Sequence, residues 1–295
     1  MSLPMTVEND SLRVVLYPSF GGKIQSVIDK ADEYELLFDY PTEFPTNPQY
    51  DQPYLVGYHA GWDECFPAVG AGPYPVHPYK GVNVPDHGEL WGLPPIVAPI
   101  KSGIITEWMG LRFGYRFSRK LWVEGPSLIA EYTLQNLAPF DFHFVWSQHA
   151  LASVHSPVEL EMPRGVYRLS HDGEGKRFDT PFDWPTTAMG DRLSNPSELP
   201  PKRGWKAFSL EPISAPALVR YPGRKRSLTI EYSSPDALAA YWGVWINTGW
   251  AGQKHISIEP TTGRFDELDR SFKDGSAGCA APSGKLVWTV QWTVR

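Results

Sequence analysis

Residues 286–294 read Leu-Val-Trp-Thr-Val-Gln-Trp-Thr-Val, in which large apolar side chains alternate with small or polar ones. Successive side chains of a β-strand point to opposite faces, so every second residue here shares one face. The apolar set is Leu286, Trp288, Val290, Trp292 and Val294. The period of two predicts a strand with one buried face.

The same alternation recurs through the rest of the chain. It is found in residues 12–17, 23–29, 111–117, 128–135, 141–146, 227–232 and 255–258. One short helix is expected at residues 234–240, where Pro235 follows a serine that could cap a first turn. Many strands without helical crossovers imply mostly antiparallel pairing. The sequence therefore predicts an all-β sandwich or barrel.

The sequence shows no internal repeat and no linker followed by a change in composition. We therefore expect a single domain over residues 1–295, a length that can bury a sizeable core. Residues 163–206 are rich in Pro, Gly and Asp, and are expected to form a long loop over one face.

The charge balance excludes some classes of partner. There are 27 Lys and Arg residues against 33 Asp and Glu, a formal net charge of -6, and no basic block. This argues against nucleic acid, because binding a polyanion depends on neutralising its phosphates. No apolar run approaches the roughly 20 residues that span a bilayer, and residues 1–10 lack the features of a signal peptide. We expect a soluble, cytoplasmic protein with no membrane partner.

The cysteines and aromatic residues bear on possible ligands. Cys65 and Cys279 cannot form a disulfide framework and show no metal-ligand spacing, so buried inert thiols and no metal site are expected. The 12 Trp, 14 Tyr and 14 Phe residues supply flat apolar rings, which suit sugars as well as a protein core. Composition alone makes a carbohydrate site a possibility.

Two neighbouring stretches concentrate polar groups beyond what folding needs. Residues 61–67 read Gly-Trp-Asp-Glu-Cys-Phe-Pro, and residues 85–91 read Pro-Asp-His-Gly-Glu-Leu-Trp. In the second stretch His87 lies next to Asp86 and close to Glu89. Taken alone, a histidine near a turn is more often a structural hydrogen-bonding group than a catalyst.

Two predicted strands add further candidates. In residues 142–149, alternation points His149 away from the apolar face of Phe142, Phe144 and Trp146. In residues 255–263, Glu259 lies opposite the apolar face, and Pro260 is expected to end the strand there. A carboxylate at a strand end can project over a site, although an exposed strand end is the simpler interpretation.

Together, in this order, these stretches resemble the aldose 1-epimerase (galactose mutarotase) family. Residues 85–89, His149 and residues 258–263 are similar to three family landmarks, and residues 20–24 and 242–245 add to the likeness. The resemblance spans nearly the whole chain. It implies a large two-layer antiparallel β-sandwich, often called a supersandwich, with the site in a cleft on the concave face.

The resemblance also implies roles for particular residues. Glu259 would be the base at the anomeric hydroxyl, His149 the acid at the ring oxygen, and His87 would hold and polarise a sugar oxygen. The expected substrate-binding residues are Asp86, Glu89, Trp62, Trp242, Trp245 and Arg264. One base and one acid suffice for ring opening, so no cofactor and no metal are expected. A nearby carboxylate is expected to raise the pKa of the catalytic histidine.

Family members use a further carboxylate from the middle of the chain, for which Asp179, Asp183 and Asp191 are candidates that the sequence does not separate. The segment from Ser147 to Leu151 departs from the familiar pattern of galactose mutarotases, which leaves the sugar open.

Two alternatives remain beside a mutarotase of free hexoses, and neither is settled by the residues. A hexose-6-phosphate mutarotase would need arginines near C6, for which Arg264, Arg112 and Arg116 are available. A non-catalytic sugar-binding or sugar-sensing protein could use the same fold. A lyase or glycoside hydrolase is a more remote possibility, because only one strong carboxylate candidate is present. The oligomeric state, monomer or homodimer, is open.

Overall fold

The structure is a computed structural model, which describes residues 3–39, 48–56, 60–154, 157–172 and 177–295. Within these ranges the chain forms 23 strands and one α-helix. The strands up to residue 136 are β1 (Met5–Glu8), β2 (Leu12–Tyr17), β3 (Lys23–Asp29), β4 (Tyr34–Glu35), β5 (Trp62–Cys65), β6 (Gly72–Pro73), β7 (Asn83–Val84), β8 (Ile96–Ile100), β9 (Gly103–Met109), β10 (Tyr115–Glu124) and β11 (Ser127–Asn136).

The remaining elements are β12 (Phe142–Phe144), β13 (Ser147–Ser153), β14 (Glu159–Glu161), β15 (Val166–Asp172), β16 (Arg177–Asp183), β17 (Gly204–Ser209), β18 (Ala217–Tyr221), β19 (Arg226–Ser233), β20 (Tyr241–Thr248), β21 (Lys254–Thr261), α1 (Leu268–Asp274), β22 (Gly278–Ala280) and β23 (Lys285–Val294). Short 3-10 helices lie at Tyr54–Val56, Leu90–Gly92, Pro196–Glu198, Pro222–Arg224 and Trp250–Gly252.

Two large sheets account for most of these strands. The first, of 11 strands, has the order β1-β2-β3-β5-β13-β21-β20-β17-β15-β16, with β4 paired to β3. The second, of 8 strands, has the order β14-β18-β19-β23-β11-β10-β9-β8. Neighbouring strands in both sheets are antiparallel. The prediction of an all-β, antiparallel two-layer sandwich is confirmed.

The core lies between the two sheets and follows the predicted alternation. Trp288, Val290 and Trp292 of β23 are buried, and the Trp292 ring stacks on Trp62 of the first sheet with ring centroids 4.9 Å apart. One cluster of buried apolar side chains runs from Val7 to Val294. The single-domain organisation stays a prediction.

A buried polar network crosses this core. Glu64 of β5 accepts hydrogen bonds from Trp62 Nε1 (2.8 Å), Arg119 (2.9 Å), Tyr132 (3.0 Å) and Trp146 Nε1 (2.9 Å). Four donors, one of them a guanidinium, thus balance a carboxylate that water cannot reach. Glu64 therefore joins the sheets, whereas Asp63 and Cys65, its neighbours on β5, point to the opposite face.

Several details differ from the sequence-based expectation. Residues 234–240 form a turn and not a helix, and the α-helix found in the described ranges is α1. Residues 163–206 are not one long loop, since they contain β15, β16 and the start of β17. Residues 111–114 precede β10 as a turn, because Arg112 N donates to Glu89 (2.8 Å) and Gly114 N donates to Tyr79 (2.8 Å).

The two cysteines also differ from each other. Cys65 is buried as expected, but Cys279 is exposed, so the prediction of two buried thiols is wrong for Cys279. The strand β22 that carries Cys279 pairs with β12 in a separate two-stranded sheet, and alternation along β22 buries Ala280 in the core while Cys279 points outward. In the described part of the chain, no helix has the length and apolar character needed to span a membrane.

Candidate active site

A cavity of about 600 Å³ lies on the face of the 11-stranded sheet that points away from the core. Side chains from several strands and from the loops above them form its wall. Among them are Tyr54, His87, His149, Lys206, Trp245 and Asp266. The cavity is large enough for a small polar ligand such as a sugar.

Sheet register brings three polar side chains into one row beneath this cavity. His149 of β13 pairs with Asp63 of β5. On the other side of β13, the pairs Ser147 with Thr261 and Leu151 with Ser257 place His149 opposite Glu259 of β21. Directly opposed residues have Cβ atoms about 4.5–5.5 Å apart, so His149 and Glu259 are side-chain neighbours.

Local alternation explains why both residues face away from the core. Ile256 and Ile258 are buried in the core, which turns Glu259 to the other face of β21. Pro260 does not end the strand as expected, because β21 continues to Thr261 and Pro260 pairs with Trp242. Glu259 therefore lies within the sheet and not at its edge.

Glu259 is held by two donors and is fully buried. Its Oε2 accepts hydrogen bonds from Ser147 Oγ (3.0 Å) and from Lys206 Nζ (2.6 Å). Its Oε1 has no hydrogen-bond partner among the described residues. Lys206 lines the cavity, whereas Glu259 is 0% exposed and lies behind the Lys206 side chain.

The ammonium of Lys206 faces a second carboxylate, since its Nζ lies 3.6 Å from Asp266 Oδ1. Burial alone would lower the pKa of Lys206, but the carboxylates of Asp266 and Glu259 outweigh burial and raise this pKa. Lys206 is therefore a cation when the site is empty.

Gly243 provides the space beside this ion pair. It lies on β20 directly opposite Glu259. A Cβ atom at Gly243 would stand 3.3 Å from Glu259 Cβ and 3.4 Å from Oε2. Without a side chain here, Lys206 from the next strand, β17, can reach the carboxylate.

His149 is almost completely buried, and its charge state differs from the expectation. Burial, followed by the neighbouring His87 and Lys206, lowers the pKa of His149 well below its ordinary value. The prediction that a nearby carboxylate raises this pKa is wrong for His149, because desolvation and cationic neighbours dominate. The imidazole is thus mostly neutral at neutral pH. The Tyr54 hydroxyl lies 3.4 Å from its Nδ1 and 2.8 Å from Asp63 Oδ2.

His87 sits on a tight turn that aims it at His149. Its φ of 58° is unusual for a residue with a side chain, and such strain concentrates at functional sites. The turn needs glycine next, because a Cβ at Gly88 would stand 2.1 Å from the carbonyl oxygen of Phe66. The His87 and His149 rings meet edge to face with centroids 5.0 Å apart.

Asp86 fixes the orientation of His87. Its Oδ1 lies 2.8 Å from His87 Nδ1, and its Oδ2 accepts a hydrogen bond from Tyr54 N at 2.8 Å. Burial raises the pKa of Asp86, but the bond and charge of His87 and the Tyr54 amide outweigh it, so the pKa is lowered. The Tyr54 ring stacks on His87 at 3.9 Å, so the imidazole is held on two sides. This leaves Nε2 of His87 for a ligand.

Among the predicted aromatic residues, the structure brings Trp245 alone to the cavity wall in the described ranges. Trp245 donates through Nε1 to His255 Nε2 at 3.1 Å, and its side chain is half-buried. Trp62 and Trp242 do not line the cavity, contrary to the prediction, because both side chains lie on the core-facing side of their strands. Trp242 donates instead to the carbonyl of Ala215 at 3.3 Å.

Glu89 and Arg264 also lie away from the cavity, contrary to the prediction. Glu89 is fully buried and accepts hydrogen bonds from the Tyr50 hydroxyl (2.5 Å) and the Arg112 amide (2.8 Å). The Arg264 guanidinium binds Asp274 and the carbonyl of Leu210. Both side chains hold loops together.

None of the candidate mid-chain aspartates is among the described cavity-lining residues. Asp179 pairs with Arg168 and Arg270, Asp191 accepts from Trp205 Nε1, and Asp183 is exposed. The mid-chain side chains that do line the cavity include His171 and Lys206, and Lys206 is the one that contacts Glu259. Sequence reasoning missed it, although residues 204–209 alternate, with Trp205 and Ala207 on the core side. The position of Lys206 between two core-facing residues could have indicated that its side chain faces the other side of the sheet.

Cys65, His87 and His149 offer possible metal-ligand atoms within 4.8 Å of one another, which their sequence spacing does not reveal. Metal ions are bound by the thiolate. Burial, and then the carboxylates of Glu259 and Asp63, raise the pKa of the Cys65 thiol well above its ordinary value. The Cys65 thiol is therefore protonated in the metal-free site.

Solved structures with similar folds are found although sequence comparison finds nothing. Neither a family model nor a curated protein matches the chain. The structure of the galactose mutarotase-like protein of Lactobacillus casei ATCC 334 aligns with a TM-score of 0.73 and 16% identity, over 99% of this chain and 100% of the other. The fold is that of galactose mutarotase-like proteins.

Two further solved structures agree with this. The Slr1438 protein of Synechocystis sp. PCC 6803 aligns with a TM-score of 0.75 and 17% identity, over 100% of this chain and 96% of the other. A protein of Escherichia coli K12 that carries the provisional name aldose 1-epimerase aligns with a TM-score of 0.72 and 13% identity, over 99% of both chains. The predicted resemblance is thus confirmed at the level of this mutarotase-like fold.

Proposed function

We propose that the protein is an aldose 1-epimerase, an isomerase that interconverts the α and β anomers of a neutral aldose. The observation that carries the proposal is the pairing of His149 opposite Glu259 across β13 and β21, beside a sugar-sized cavity. A carboxylate and an imidazole side by side are the base and acid that ring opening needs. The mutarotase-like fold and the Trp245 ring on the wall support the same interpretation.

The reaction follows from these groups. Glu259 takes the proton of the anomeric hydroxyl as the C1–O1 double bond forms. The electron pair of the C1–O5 bond moves to O5, which receives a proton from the His149 imidazolium. The open chain turns about C1–C2 and closes on the other face, with both protons returned. His87, held by Asp86, binds a sugar oxygen through Nε2.

The charges around the cavity favour a neutral sugar over a 6-phosphate. Among the described residues that line it, Lys206 is the one lysine or arginine, and it is paired with Glu259. Arg112 is engaged by Asp51 and the carbonyl of Asn83, and Arg264 by Asp274. A phosphate would therefore meet the carboxylates of Asp266 and Glu267 without a bidentate arginine.

A second candidate function is sugar binding without turnover. It is favoured by the full burial of Glu259 behind Lys206 and by the neutral state of His149. Both features make proton transfer harder in the empty site, although catalytic contacts often tighten only when substrate binds.

Anomer exchange measured by NMR exchange spectroscopy decides between the two functions. The panel is glucose, galactose, their 6-phosphates and several pentoses, with Glu259→Gln as the test variant. Glu267→Gln is the matched control, because it changes another carboxylate at the same cavity. We expect accelerated exchange of a neutral sugar that falls by about 10²-fold or more in Glu259→Gln and persists in the control. Calorimetric binding of a sugar without any acceleration would support the binding protein instead.

A further inference from the structure

We propose that Lys206 is a positioning residue for Glu259. Its ammonium keeps this buried carboxylate ionised and fixes Oε2, which leaves Oε1 as the oxygen that takes the proton of the sugar. The inference rests on the proposed function, and it names a residue that neither the sequence motifs nor the family likeness supplied.

The first step is the charge of Glu259. A carboxylate with 0% exposure loses its hydration, and burial favours the neutral acid unless a cation compensates. Lys206 Nζ at 2.6 Å is the cation in hydrogen-bond contact with it. Among the described residues near the carboxylate, Ser147 and the Cys65 thiol are neutral and His149 is mostly neutral, so none of these three carries a full positive charge.

The second step is the orientation of the carboxylate. Both donors, Lys206 Nζ and Ser147 Oγ, reach the same oxygen, Oε2. Oε1 has no partner among the described residues, which is costly for a buried carboxylate oxygen. Such an oxygen is suited to accept a proton from a ligand, because the ligand supplies the missing hydrogen bond.

The third step is the way Lys206 reaches this position. It comes from β17, two strands away from β21, and passes over Gly243 of the intervening β20. Asp266, 3.6 Å from Nζ, holds the ammonium from the other side. The arrangement therefore spans three strands and the loop after β21.

The test replaces Lys206 with Met, which keeps the length of the side chain and removes its charge. Lys23→Met is the matched control, since Lys23 is equally buried and pairs with Asp63 in the same row of the sheet. Infrared spectroscopy at neutral pH reports whether Glu259 is ionised, with Lys206→Met/Glu259→Gln identifying its band. Steady-state anomer exchange separates kcat from KM.

We expect a protonated-carboxyl band in Lys206→Met that is absent from the wild type and from the double variant. A band in the Lys23→Met control would belong to Asp63 and should persist when Glu259→Gln is added. We also expect kcat to fall about 10²-fold while KM changes by less than about threefold, as for loss of a positioned base. A folded Lys206→Met protein with an ionised Glu259 and an unchanged kcat would overturn the inference.

If Lys206→Met does not fold, Gly243→Ala replaces it. The added Cβ would stand 3.3 Å from both the Cβ and the carbonyl oxygen of Glu259, which is a tight contact. Glu259 must then shift relative to Lys206 Nζ, so kcat should fall at least about fivefold with KM retained. An unchanged kcat in this variant also counts against the inference. If the wild type accelerates no sugar, the proposed function fails, and the infrared comparison still decides whether Lys206 keeps Glu259 ionised.

Discussion

The charge of His149 leads to a pH dependence that ordinary histidine chemistry would not give. Burial, with His87 and Lys206 as the next contributors, places the pKa of His149 well below its ordinary 6.5. If the imidazolium is the acid at the ring oxygen, kcat/KM must follow the protonated fraction of the free protein. The alkaline limb of the profile should therefore begin well below pH 6.5.

The magnitude follows from this direction. Above its pKa, a group loses about tenfold of its protonated fraction per pH unit, so kcat/KM should fall about tenfold between about pH 6.5 and about pH 7.5. A histidine with the ordinary pKa of 6.5 would be half protonated at the start of that interval. Its kcat/KM would fall by only about half as much, roughly fivefold.

The assay is NMR exchange spectroscopy on the preferred sugar, with the solvent-catalysed rate subtracted at each pH. His143→Gln is the control, because His143 packs against Phe272 outside the cavity, and its removal should leave the limb in place. A kcat/KM that is constant from about pH 5.5 to about pH 8 would show that His149 does not act as an imidazolium.

The lowered pKa of His149 also predicts how the folding stability of the protein depends on pH. Because the folded pKa of His149 is lowered, the unfolded chain binds the proton first, so stability is lost as pH falls through 6.5 towards the folded pKa. The wild-type melting temperature should therefore decrease on acidification, and the decrease should be smaller in His149→Gln.

Two further predictions concern side chains on opposite faces of the first sheet. Trp245→Leu should raise KM about fivefold with little change in kcat, which corresponds to about 1 kcal/mol of lost stacking, whereas Trp242→Leu should lower stability and leave KM unchanged. Steady-state exchange and thermal melts separate these results, and equal effects on KM would contradict the assignment of their faces. Glu64→Gln should lower the free energy of unfolding by about 3–5 kcal/mol in urea denaturation, because it leaves the buried Arg119 without its partner. A loss below about 1 kcal/mol would show that the core network contributes little.

Several features of the site were predictable because they depend on local alternation. The parity of Ile256, Ile258 and Glu259 along one strand turns the carboxylate away from the core whatever the rest of the chain does. The same holds for His149, and the His87-Gly88 turn could be recognised from its residues. For the same reason, the period of two in residues 286–294 was enough to indicate a sandwich strand.

Side-chain alternation does not decide which of the two faces of a strand lines the cavity. Alternation places Trp242 and Trp245 on opposite faces of β20, but only the assembled sheet shows that the face of Trp245 meets the cavity and that Trp62 and Trp242 point into the core. Register between strands far apart in sequence is set by packing of the whole sheet, which no local pattern contains.

The sequence by itself determined several of the strands, the faces of His149 and Glu259, and the all-β class, because these follow from side-chain alternation. Only the tertiary structure decided that Lys206 covers Glu259 and that His149 is mostly neutral. Both depend on contacts between strands distant in sequence and on the loss of water from the assembled site. Loss of water from the site occurs only when the whole chain folds. The charge states of Glu259, Lys206 and His149 could therefore be inferred only from the tertiary structure.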